Sequence, residues 1–151
     1  MRALLLLSVL LLSACSPRGS EAEIVIDGPW VRETPPGRTV AAGYLKIHNN
    51  GKQTRALATA QSPDASRVEI HTMTHEDGMM RMRQIDRLDV PAGSSVSLEP
   101  GGLHLMLFDI ETAAVGNHIP VTLTFDDGWE IEARFPVRRP DMSPDTGRHQ
   151  H

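Results

Sequence analysis

The chain has a single cysteine among its 151 residues, at position 15. No disulfide can close within it, and no thiolate-rich zinc centre or catalytic thiol of the folded region is available. A blue-copper electron-transfer site is excluded as well, because that chemistry needs a cysteine thiolate among the ligands and Cys15 is far from every other ligand-type residue. Aromatic residues make up only 4% of the chain. No basic patch with interleaved aromatics occurs, and the net charge is −4, so nucleic acid is not expected as a partner. After the first residues no apolar run is long enough to span a bilayer. No segment keeps a 3.6-residue period long enough for an amphipathic helix. The folded region has neither a His-x-His pair nor a His-Glu-x-x-His motif, so an enzyme such as a copper–zinc dismutase or a zinc hydrolase is not expected.

What is present begins with an export signal. Met1 and Arg2 precede the apolar run Ala3 to Leu12, which is too short to cross a membrane as a helix. Leu12-Ser13-Ala14-Cys15 resembles a bacterial lipobox. Cleavage before Cys15 would remove residues 1–14, leave 137 residues, and turn the thiol of Cys15 into a lipid thioether. Losing Arg2 with that peptide changes the net charge from −4 to −5. Residues 15–23 then form the lipidated cysteine and a polar tether. The expected location is exported and periplasm-facing, anchored to a membrane through lipid. Ser16 favours the outer membrane in a Gram-negative cell.

Residues 24–137 read as one all-β domain. Alternating runs appear at Ala41–Asn49, Arg67–His71, Ser94–Leu98, Leu103–Phe108 and His118–Phe125. Asn50-Gly51, Pro100-Gly101-Gly102 and Asp126-Asp127-Gly128 punctuate them, the last leading into Trp129–Val137. Short strands at this spacing imply an antiparallel sandwich or barrel. Residues 138–151 read as a flexible, His-containing tail.

The chemistry lies in three His/Met pairs spaced i, i+2: His71 and Met73, Met80 and Met82, His104 and Met106. In Leu103-His104-Leu105-Met106-Leu107 the leucines share the core face, so His104 and Met106 share the opposite one. Glu76-Asp77-Gly78 is a turn that folds Met79–Arg83 back beside His71–Thr74, with Met80 and Met82 on one face. Val68 and Ile70 point inward, so His71 and Met73 point the other way. Three such pairs, on a hairpin and a neighbouring strand, can form one cluster of imidazole and thioether donors. That soft set suits cuprous copper, whereas zinc and calcium gain little from thioethers. The thioethers bind without proton competition. The imidazoles bind only when neutral, so affinity should fall as pH drops through about 6.5. His75 adjoins the turn and is a candidate accessory donor. His48 and His118 share faces with polar residues and read as surface histidines.

The spacing His71, ten residues, Met82, twenty-one residues, His104, one residue, Met106 resembles the motif of the PCu(A)C-type periplasmic copper chaperones. The flanks are similar as well: Trp30-Val31-Arg32 with Thr34-Pro35-Pro36-Gly37, Ala41-Ala42-Gly43-Tyr44-Leu45, Val68-Glu69-Ile70-His71-Thr72-Met73, and Pro100-Gly101-Gly102-Leu103-His104-Leu105-Met106-Leu107. The resemblance implies a cupredoxin-like Greek-key β-sandwich or barrel. It implies one Cu(I) held by His71, Met82, His104 and Met106, with Met73 at most a neighbour and Met80 outside the ligand set. It further implies a carrier that delivers copper to the binuclear centre of the cytochrome c oxidase copper subunit, beside a Sco-type protein. A lipid anchor departs from the usual soluble form. A copper-sequestering or resistance lipoprotein would use the same site. In the tail, Met142, His149 and His151 resemble a short version of the Cu(II)-linked extension that some members of that family carry.

Overall fold

The computed structural model describes residues 23–110, 113–114 and 116–139. Ten strands account for its regular structure: β1 (Ile24–Arg32), β2 (Val40–Asn49), β3 (Arg55–Gln61), β4 (Arg67–Glu76), β5 (Met79–Ile85), β6 (Leu88–Val90), β7 (Ser94–Leu98), β8 (His104–Phe108), β9 (His118–Phe125) and β10 (Glu130–Arg138). Among the described residues there is no helix long and apolar enough to cross a membrane.

The strands form one sheet in the order β5-β4-β8-β2-β1-β10-β9-β3-β6. A further pairing of β3 with β4, at Ala60 and Val68, closes the middle of that order into a barrel. Strands β5 and β6 hang outside the closed ring as edges. β2 serves two partners along one side, β8 through residues 40–43 and β7 through residues 45–49. The expected all-β, cupredoxin-like architecture is present, and its sheets are continuous through these shared strands.

Alternation explains the core. Leu105 and Leu107 on β8, Val121 and Leu123 on β9, and Phe135 on β10 are fully buried. Burying each such side chain contributes roughly 1.5–3 kcal/mol. Gly43 leaves room where β2 packs beside β8: a Cβ there would lie 3.3 Å from a Leu107 methyl. Inside the barrel, the buried Asn49 is satisfied by backbone groups. Its Nδ2 donates to the carbonyls of Gln53 at 2.8 Å and Val90 at 2.9 Å, and its Oδ1 accepts from Gly51 N–H.

Local pattern leaves three strands unannounced. In β1 the register shifts between Asp27 and Trp30, and Gly28 takes φ +53°, so the alternation breaks mid-strand. β3 is alanine-rich, and β6 has three residues. β4 is one continuous strand from Arg67 to Glu76, and its expected pairing of His71–Thr74 with the returning strand extends outward to Glu76 and Met79 because the hairpin continues outside the barrel.

Candidate metal centre

Strand register gathers the donors. His71 of β4 stands opposite His104 of β8, and Glu69 stands opposite Met106. On the other side of β4, Met73 opposes Met82, His75 opposes Met80, and Gln84 opposes His71. Ala42 of β2 lies beyond Met106. Directly opposed residues share a face. One outer face therefore carries Glu69, His71, Met73, His75, Met80, Met82, His104 and Met106. Ile70, Leu105 and Leu107 fill the core on the reverse side.

The two imidazoles are neighbours, with ring centroids 5.8 Å apart. His104 is only 4% exposed, more enclosed than its place opposite the leucines suggests. Its Nδ1 lies 3.0 Å from the Gly102 carbonyl. A carbonyl only accepts, so Nδ1 carries the hydrogen and Nε2 keeps its lone pair.

His71 is set the other way round. Its Nε2 is 2.8 Å from Glu69 Oε2. The hydrogen bond from His71, and after it that from Arg67, hold the Glu69 carboxyl below the ordinary glutamate range. An ionised carboxylate only accepts, so Nε2–H donates. In the neutral ring Nδ1 then bears the lone pair. That nitrogen is buried and has no hydrogen-bond partner among the described residues. A buried, unpartnered polar atom is costly unless something else satisfies it.

Three residues of this arrangement escape ligand-type reasoning. Glu69 orients His71. Arg67 Nε donates to Glu69 Oε1 at 2.8 Å. The Arg67 guanidinium also sits 3.8 Å over the Phe108 ring, and that ring is 6.5 Å from His71. A signal for Glu69 existed: it precedes His71 by two residues and so shares its face.

The soft donors differ in exposure. Met106 and Met73 are half-buried, while Met82 is 47% and Met80 51% exposed on the outermost strand. Met106 also lines an open cleft of ≈ 470 Å³ with Arg32, Pro35, Arg38 and Val40. A larger cleft of ≈ 650 Å³, lined by Asp64, Ser66, Asp109 and His118, contains none of the candidate donors. Among the described residues no three His, Cys, Asp or Glu side chains are grouped to hold a metal. Any ion on the His71–His104 face would therefore rely on methionine.

The remaining candidates lie elsewhere. His75 is four residues along β4 from His71, across from Met80. His48 meets Ser95 Oγ at 2.8 Å and Asp27 at 3.8 Å. Cys15, Met142, His149 and His151 lie outside the described residues.

Residues 24–137 match the family described as "Putative lipoprotein LpqE-like". A relative from Leifsonia xyli subsp. xyli, named "Putative lipoprotein Lxx21020", is 32% identical over 128 residues, which is 83% of this chain and 76% of that protein. Among solved structures, the copper-bound PCuAC domain from PmoF2 superposes with a TM-score of 0.66 at 28% identity, over 78% of this chain and 94% of that one. The Cu(I) form of DR1885 from Deinococcus radiodurans gives a TM-score of 0.65 at 27% identity, over 82% and 83% of the two chains. With its sequence match spanning every strand of the barrel, and with the PCuAC fold, this chain belongs to the LpqE-like family.

Proposed function

We propose that the protein is an exported copper carrier that holds one Cu(I) through His71 Nδ1, His104 Nε2, Met82 and Met106. The observation that carries this reading is the buried, unpartnered Nδ1 of His71 beside His104, on the face that also holds both methionines. Copper-bound relatives of the same fold support it. The ion is cargo, not a catalytic centre. Four protein donors leave no open position for a substrate, whereas catalytic metal sites keep one. Release proceeds by ligand exchange. The exposed Met82 thioether on an edge strand and the cleft beside Met106 give an acceptor's ligands access to the ion.

The acceptor in this reading is the copper subunit of cytochrome c oxidase, in the company of a Sco-type protein, as the motif resemblance implies. Lipidation at Cys15 would keep the carrier at a membrane surface, in keeping with the lipoprotein names of its family and relative. The test is anaerobic Cu(I) titration against a chromophoric competitor. Met82→Leu and Met106→Leu should each lose most of the affinity, and Met80→Leu should keep it. Retention of wild-type affinity by Met82→Leu would remove that residue from the site.

A further inference from the structure

The hairpin that carries Met82 extends beyond the barrel, and the same face continues along it. His75 and Met80 are directly paired across β4 and β5, one step outward from the Met73–Met82 pair. Opposed side chains in such a pair have Cβ atoms about 4.5–5.5 Å apart, so an imidazole and a thioether there can reach one ion. Four residues of strand, roughly 13 Å, separate His75 from His71, too far for both to bind the same ion. The outer pair is therefore a unit of its own.

Three observations separate it from ordinary surface residues. Met80 is 51% exposed on a strand with no outer neighbour among the described residues, so it does not serve the core. The hairpin's charges are segregated: Glu76, Arg81 and Arg83 alternate onto the opposite face. There Arg83 holds Glu76 at 2.8 Å and Arg81 lies 3.6 Å from it. The donor face of the hairpin thus presents two imidazoles, three thioethers and no fixed cation. Finally, Met73 and Met82 fill the step between the outer pair and His71, so soft donors follow one another at intervals of about 7 Å.

We propose that His75 and Met80 form a second, weaker Cu(I) site at the hairpin tip, from which the ion passes by thioether exchange through the Met73–Met82 pair to the inner site. The ion keeps its oxidation state throughout, and each step exchanges one neutral donor for another. This inference rests on the copper-carrier reading above.

The experiment is anaerobic Cu(I) titration of the protein with NMR observation of the methionine methyls, on wild type and on the His75→Gln/Met80→Leu double variant. Wild type should take up a first, tight equivalent that moves the Met82 and Met106 methyls, then a second, weaker one that moves Met80. The double variant should keep the first and lose the second. A Met80 methyl that stays unmoved as Cu(I) is added past the first equivalent would overturn the inference and leave the carrier reading intact. So would a second equivalent that survives in the double variant. Absence of the first, tight equivalent would overturn the carrier reading and this inference with it.

Discussion

Replacing Glu69 by glutamine isolates the role of a residue that touches no metal in the proposed site. The side chain keeps its shape and loses its charge. In the native protein one carboxylate oxygen accepts from His71 Nε2–H and the other from Arg67 Nε–H, both at 2.8 Å. An amide has one accepting oxygen, so it can serve only one of these donors while its NH2 group faces the other. The His71 ring then loses either its charged acceptor or its fixed orientation, and Nδ1 is no longer held as the lone-pair nitrogen. Outer partners of this kind are typically worth about 10–100-fold in metal affinity. The His71–Glu69 contact belongs within that range because both side chains are largely shielded, at 13% and 20% exposure. Arg67 is 55% exposed, and its own substitution by glutamine should cost no more than about fivefold, as for a surface ion pair. The assay is Cu(I) competition at fixed neutral pH, with a thermal melt of each apo variant to show that the barrel is intact. Wild-type Cu(I) affinity in an intact Glu69→Gln protein would refute the assignment of Nδ1 as the donor.

Two further outcomes follow from the barrel itself. Leu107 is fully buried against Gly43, so Leu107→Ala should destabilise the fold by about 2–5 kcal/mol in denaturant unfolding. Tyr44 is the only tyrosine, and burial raises its phenol above the ordinary value, with Arg32 opposing. A raised folded value means that this contribution to stability is complete below about pH 10 and is lost as pH rises through the folded value. Phenolate absorbance should therefore appear late in an alkaline titration, and Tyr44→Phe should remove that part of the alkaline loss. Ionisation at or below the ordinary tyrosine value would contradict the burial argument.

Much of the candidate face was legible because β-alternation is a strict rule. Three leucines declared the core face of β8, and His104 and Met106 fell opposite them. The Glu76-Asp77-Gly78 turn declared the hairpin. What local pattern does not contain is register between strands distant in sequence. That Glu69 faces Met106, and that His75 faces Met80 instead of joining His71, depends on how β4 slides against β8 and β5. Glu69 was overlooked for a chemical reason: a carboxylate is a poor ligand for a soft ion, and its value here is as an acceptor for the N–H of His71, the proposed ligand. The missing strands have the same kind of explanation. A bulge at Gly28, an alanine-rich β3 and a three-residue β6 leave little periodicity to read, and long-range pairing alone defines them.

Among the described residues strand β5 pairs with β4 and with nothing beyond it, and every residue from Met79 to Gln84 is exposed. Of the four proposed donors, His71, His104 and Met106 belong to strands paired on both sides, and Met82 alone sits on that outer strand. Local opening of a structure starts where few buried contacts resist it. Fraying of one strand would thus unfasten one thioether while the other three donors hold the ion in place. The rate of copper release then becomes a property of hairpin breathing, readable as fast amide exchange in residues 79–84, and separable from the global stability of the barrel.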